Sequence, residues 1–340
     1  MKLDELISKT NDKMRVSNYS LKTIESYTRV IEKFFYYLIK HPETREINHT
    51  QRMEAFLTWR VIHDDISPST QDVEFNALLY LGRNVLNVEI GKVNALRAKP
   101  RERIPHIISP DQVSRLLSAF PDEYSLIVRT LYGAGLRINE CLQLRIKDVD
   151  LFTKKLIIHE GKGDKDGIAP IPTSLVDALR HQVEQSTKVW QNDRYHKLNG
   201  VQVPHALARK YKNAPVSKDW FWLFPNPSLG KDENGIERRH HVYDFSVQKA
   251  FVEVRRKLGL PEFVTPHAMR HFFATHFLQN LLSQGIPESM ARSELKEYLR
   301  HVSPQTMDWY VHLAMPENPM IQSPLDLLAL TQSTLSNSVG

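Results

Sequence analysis

Cys141 is the only cysteine in the 340 residues. An internal disulfide and a thiolate zinc site are both excluded by that count. Its neighbours Leu136, Ile138, Leu142 and Leu144 give it the setting of a small buried hydrophobe. No stretch approaches the ~18 consecutive apolar residues of a membrane-spanning helix. No signal-type apolar run follows Met1-Lys2-Leu3-Asp4-Glu5-Leu6. A cytoplasmic protein with no membrane partner is therefore the expectation. Internal repeats and low-complexity tracts are missing as well, which argues against solenoids and unstructured arrays. Apolar residues make up 41% of the chain, enough for ordinary cores. Lys and Arg exceed Asp and Glu by 45 − 39 = 6, with a pI near 9.2. That excess suits a polyanionic partner and equally suits an enzyme that is merely basic.

The length favours two domains. Ile24, Tyr27, Ile31, Phe34, Phe35 and Leu38 recur at helical spacing, and Ser67-Pro68 offers an N-cap and first helical position. The helix beyond should turn Val73, Leu78, Leu81 and Val85 towards a core. Residues 1–96 thus read as a helical domain with no catalytic pattern. Residues 97–104 read as a basic linker, because Arg97, Lys99, Arg101 and Arg103 surround Pro100 and a single Glu102. Such a run is either a solvated segment or a track for phosphates. Residues 105–333 form the second domain. Ser109-Pro110-Asp111-Gln112 opens it with a capping box, and a helix is expected over Leu136 to Leu144. Lys155–His159 and Ile168–Ile171 flank a Gly/Asp/Lys-rich turn and read as a β-hairpin. The remainder to Leu313 is mostly helical, with an irregular stretch from Tyr195 to about Arg239. The fold class is mainly α with a small antiparallel hairpin or sheet.

Breaking a phosphodiester without a metal requires a nucleophile, cations on the non-bridging oxygens and an acid for the leaving oxygen. Arginine fits the second role through its planar, permanently charged fork. Lysine or histidine fits the third, and a tyrosine helped by nearby positive charge fits the first. Gly133-Ala134-Gly135-Leu136-Arg137-Ile138-Asn139-Glu140 sets an arginine after a glycine-flanked turn at a helix start, where an anion is favoured. Gly161-Lys162-Gly163-Asp164-Lys165 falls at the hairpin tip and lacks the spacing of a nucleotide-binding P-loop. His267, Arg270 and His271 share one helical face at i, i+3 and i+4. A histidine pair at that spacing also resembles zinc proteases, but their glutamate base is missing and an arginine beside it repels a cation. Neither a metal nor any other cofactor is expected. Arg300-His301 stands before Trp309-Tyr310, with His301 nine positions ahead of the tyrosine (310 − 301).

The order Gly-x-Gly-Leu-Arg-x-x-Glu, Gly-Lys-Gly, His-x-x-Arg-His, then His and Tyr resembles the tyrosine recombinase (phage integrase) family over essentially the whole chain. That resemblance implies an N-terminal helical core-binding domain and a C-terminal catalytic domain clamping DNA. It implies that Arg137 and Arg270 grip the scissile phosphate and that Lys162 protonates the leaving 5′ oxygen, with Lys165 as a second choice. His267 and His301 would bond the phosphate or move its protons, and Tyr310 would form a 3′-phosphotyrosyl link. His271 is expected to be structural. The segment 195–241, with Trp220, Trp222, His240 and His241, looks like the insertion of integron integrases, which act as tetramers on folded single-stranded hairpins of gene cassettes. Trp220 would stack on an extruded base and His240 and His241 would bond one, while Trp222 reads as core. Residues 318–340 resemble a tail that docks on a neighbouring protomer. Two departures stand out. The family's Leu-Gly-His is Leu299-Arg300-His301 here, and Arg270 to His301 spans 31 positions, several more than usual, absorbed by Gln284–Tyr298. Arg300 is expected to displace His301, which supports an alternative: a DNA-binding protein of the same fold with impaired catalysis.

Overall fold

The computed structural model describes residues 3–17, 19–99, 106–161, 165–203, 210–232, 234–300 and 302–315. The chain divides into two compact units, Met1–Arg103 and Ile104–Gly340.

In the first unit the helices Leu3–Val16, Leu21–Lys40, His49–Asp64 and Pro68–Tyr80 pack around one core. Local chemistry sets their starts. Ser20 and Ser67 accept the backbone N–H groups of Thr23 and Thr70, and Asn48 with Gln51 closes a reciprocal capping box. Ile24 and Ile31 are buried as their spacing predicts, but Val30 and Tyr37 complete the face in place of Phe35. Val73, expected inside, is 42% exposed. Its helix turns Gln71, Glu74, Ala77 and Leu78 inward instead, because Glu74 meets the buried Arg60 guanidinium at 2.7 Å. Beyond Tyr80 the helix widens into a π-type turn, Leu81–Leu86, which buries Leu81 and Val85. Arg97 is not a bare linker cation. It pairs with Asp72 at 3.3 Å and lies over the Phe75 ring, while Lys99 is exposed. Arg101 and Arg103 lie outside the described residues.

The second unit opens with Pro110–Ser118, capped by the Ser109–Gln112 box as expected. Three antiparallel strands follow the short helix Ile138–Leu142: β1 (Val149–Asp150), β2 (Lys155–Gly161) and β3 (Lys165–Pro170). Leu156 pairs with Ala169 facing the core, and Ile157 pairs with Ile168 facing out, the alternation a half-covered sheet demands. The irregular stretch holds a second hairpin, β4 (Pro225–Lys231) with β5 (Glu237–His241). Its sequence of Pro, Asn, Gly and charged residues carries no strand-forming alternation, so periodicity does not reveal it. Tertiary bonds hold it: Arg239 forks onto buried Asp193 at 2.7 and 2.9 Å. Trp222 is 5% exposed, as a core residue should be.

Candidate active site

The helix Pro266–Ser283 is the central rod of the second unit, packed against Asp122–Gly133 on one side and Pro304–Ala314 on another. Thr265 caps it by accepting from Ala268 N–H, and Pro266 occupies its first turn. His267, Arg270 and His271 therefore leave one face together. Opposite them the Gly133–Gly135 turn delivers Arg137. Gly135 has φ +60°, and a Cβ there would come within 2.5 Å of the Phe273 ring, so both backbone and space require glycine. Tyr310 comes from Pro304–Ala314, a helix capped by Ser303 accepting from Thr306 N–H.

Arg137, His267, Arg270, His271, Ser303, Thr306 and Tyr310 line one cleft of about 600 Å³. Arg270 is 4% exposed, and its two terminal nitrogens donate to the carbonyls of Gly135 at 2.7 Å and Leu299 at 2.6 Å. Burial, then the neighbouring Arg137 charge, pulls its pKa down to about 10, so it remains cationic at neutral pH. Glu140 binds the arginines together. One carboxylate oxygen accepts from Arg137 Nη1 at 2.6 Å, and the other accepts from the Arg137 backbone N–H at 2.9 Å and from Arg300 Nη2 at 2.6 Å. That second oxygen also lies 3.8 Å from Arg270 Nη1. Burial pushes the Glu140 carboxyl up, but the Arg300 charge, the Arg137 hydrogen bonds and the Arg270 charge together hold it below the usual range. Sequence reasoning does not single out Glu140, although its place three residues after Arg137 is the signal: that spacing brings a carboxylate back over its own helix start.

The Tyr310 hydroxyl meets His271 Nδ1 at 2.7 Å, so His271 touches the phenol rather than standing behind the site as the sequence suggests. Tyr310 is 2% exposed. Burial raises its pKa to about 12, with Arg270 and Arg137 pulling in the opposite direction. The same burial, reinforced by the His267 and Arg270 charges, lowers His271 to about 4. Burial and the charges of Arg270 and Arg137 also lower His267. With His271 neutral, its Nδ1 accepts and the phenol donates.

A titration follows from this. In the DNA-free protein the His271 ring is expected to stay neutral down to about pH 4 in a nitrogen-15 NMR titration, while an unfolded chain takes up that proton near its ordinary 6.5. The unfolded state then binds more protons between these values, so thermal stability should fall as pH drops from 6.5 towards 4. A ring that titrates near 6.5 in the folded protein would contradict the burial described.

Lys162 and His301 lie outside the described residues, and Lys165 opens β3 with its side chain likewise outside them. The sequence-predicted base-binding residues divide. A second cavity of about 540 Å³ is lined by Trp220, Trp222, Tyr211, Lys147, His159 and Glu140 among others. The Lys147 ammonium lies 3.4 Å from the centre of the Trp220 ring, and Arg145 lies 3.9 Å from that of Trp222. His240 and His241 do not line this cavity. His240 Nε2 bonds the Gly230 carbonyl at 3.2 Å, and His241 bonds the Val242 carbonyl at 2.7 Å while meeting Trp222 edge-on. One ring nitrogen of each is thus engaged by a backbone carbonyl.

A half-buried and a buried guanidinium, a tyrosine in the same cleft and a neutral histidine at its hydroxyl define a phosphoryl-transfer site on a largely helical scaffold. Residues 106–317 match the phage integrase family, and residues 6–92 match the phage integrase N-terminal SAM-like domain. The chain belongs to the phage integrase family and is a tyrosine recombinase. It is 33% identical over 327 residues to an integrase/recombinase of Escherichia coli, covering 95% of this chain and 94% of that one. With a tyrosine recombinase of Thermosipho africanus it shares 24% identity over 330 residues, covering 93% and 97%. Among solved structures, the XerH site-specific recombinase in its post-cleavage complex with a palindromic difH substrate superposes with a TM-score of 0.56 at 22% identity, covering 92% of this chain and 82% of that one. No described helix is long and apolar enough to cross a membrane.

Proposed function

We propose that this recombinase acts on DNA in the cytoplasm as an integron integrase, cutting and rejoining strands at folded hairpin sites through a 3′-phosphotyrosyl link on Tyr310. The observation that carries the chemistry is the single cleft shared by Arg137, Arg270 and Tyr310. The two guanidiniums hold the non-bridging oxygens of the scissile phosphate and stabilise the charge that develops there. Tyr310 Oη attacks phosphorus, the bond from phosphorus to the 5′ oxygen breaks, and the phenol proton passes to His271. Lys162 or Lys165 supplies the proton for the leaving oxygen, and His267 and His301 bond the phosphate. The phosphotyrosyl bond retains the energy of the phosphodiester, so a second 5′ hydroxyl reseals the strand with no cofactor. Four protomers, each with residues 1–96 and 105–333 on either side of the 97–104 linker, assemble on two DNA sites, with residues 318–340 reaching a neighbour.

The integron reading draws support from the cavity at Trp220, an aromatic wall with cations beside it, suited to stacking an extruded base. At matched salt the protein should bind a folded bottom-strand hairpin more tightly than the same sequence as perfect duplex. Trp220→Ala should weaken hairpin binding by roughly 5- to 150-fold, the ~1–3 kcal/mol of one stacked base, and leave duplex binding unchanged. Equal affinity for both substrates removes the integron reading and leaves the recombinase one. The chemistry itself is tested with a nicked suicide substrate: a covalent protein–DNA adduct should form, and form equally in excess EDTA. Binding without any adduct would favour the impaired, DNA-binding alternative. An adduct or cleavage that needs a divalent metal would favour a nuclease.

A further inference from the structure

Arg300 occupies backbone that suits glycine, with φ 62° and ψ −49°. A side chain in such a region is strained unless something holds it there. What holds it is an ion pair. The Arg300 side chain is 9% exposed, as is that of Glu140, and their closest atoms are 2.6 Å apart. Gly167 on β3 makes room for the arginine stem, since a Cβ at Gly167 would come within 2.1 Å of Arg300 Cδ. The carbonyl just before Arg300, that of Leu299, accepts from Arg270. A strained backbone and a glycine on a facing strand thus both serve to place one guanidinium against the carboxylate that binds Arg137.

We propose that Arg300 is the counter-ion of Glu140, a positioning residue that neutralises this carboxylate so that Arg137 and Arg270 present their full charge to a phosphate. Without Arg300, Glu140 offsets one of two guanidiniums. With it, three cations and one anion among the described residues leave 3 − 1 = 2 positive charges around this carboxylate. In a buried site that difference acts directly on a developing phosphorane. The inference rests on Tyr310 being the nucleophile.

The test compares full-length wild type with Arg300→Gly, Arg300→Gln, Arg300→Lys and the double variant Glu140→Gln/Arg300→Gln. DNA affinity at fixed salt and the single-turnover rate of adduct formation on a nicked substrate are measured for each. Arg300→Gly removes the strain along with the charge, whereas Arg300→Gln keeps the strained backbone and a polar side chain but loses the charge and the reach to Glu140. Both should bind DNA within about 3-fold of wild type, since one charge among many phosphate contacts is lost. Both should cleave at least ~10-fold more slowly, one decade in the barrier relation. Arg300→Lys should recover most of the rate, and so should the double variant, in which the unpaired carboxylate is gone. Glycine and glutamine variants that cleave at the wild-type rate would overturn the proposal. So would a double variant as slow as Arg300→Gln alone. A wild-type protein that forms no adduct sinks the phosphotyrosyl reading and this one with it, whereas an active wild type beside equally active variants sinks only the role of Arg300.

Discussion

Tyr310→Phe is expected to yield a protein that binds its DNA site as wild type does and never becomes covalently attached to it. Only the hydroxyl is removed, and among the described residues its hydrogen-bond partner is His271 Nδ1. The ring itself sits in the core formed by Ala274, Leu278, Leu295, Leu299 and Met307, so packing is preserved. Loss of one buried hydrogen bond should cost about 1–3 kcal/mol of stability through the unpaired imidazole, well short of unfolding. Adduct formation, by contrast, should fall to background, because no other tyrosine lines the cleft among the described residues. The measurement is a denaturing gel of a nicked, labelled substrate. A residual adduct at a few per cent of wild type would mean that another residue attacks phosphorus.

The second large effect is on stability as well as rate. Glu140→Ala should destabilise the fold by about 3–5 kcal/mol, the usual cost of leaving buried charges without their partner. Three guanidiniums, those of Arg137, Arg270 and Arg300, would then lose the carboxylate they share among the described residues. Urea unfolding followed by circular dichroism reads this directly. A bound phosphate or DNA should restore much of the loss, since it supplies the missing negative charge and binds only the folded state. Arg137 would also lose the bond that fixes its side chain, and cleavage should drop by about 10²-fold or more, as when a transition-state donor is misplaced. A Glu140→Ala protein as stable as wild type in the absence of any anion would show that the carboxylate is not what holds the three arginines together.

The sequence made the chemistry easier to see than the architecture around it. Arg137, Arg270 and Tyr310 stand in motifs whose spacing survives translation into three dimensions, because each lies at a capped helix start or within a helix of fixed register. The Ser67 and Ser109 caps were legible for the same reason: capping is a local matter of a few residues. What escaped depends on contacts far apart in the chain. The β4–β5 hairpin is held by Arg239 and Asp193, 46 positions distant, and has no alternation of its own. His271 and Tyr310 meet across 39 positions, which helical periodicity cannot report. Val73 looked like a core residue until the buried Arg60–Glu74 pair rotated the preference of its helix. Arg300 turns its guanidinium inward to Glu140 across 160 positions, a contact that sequence spacing cannot report.

The segment 195–241 is stitched to the body of its unit by Arg145. That side chain donates to the carbonyls of Trp220 at 2.6 Å and Gln202 at 2.9 Å, and its backbone bridges to Trp222. The neighbouring Ile146 and Lys147 N–H groups donate to the carbonyls of Phe221 and Asp219. Such a segment is not modular. Excising it would strip a buried cation of two acceptors and uncover Ile146.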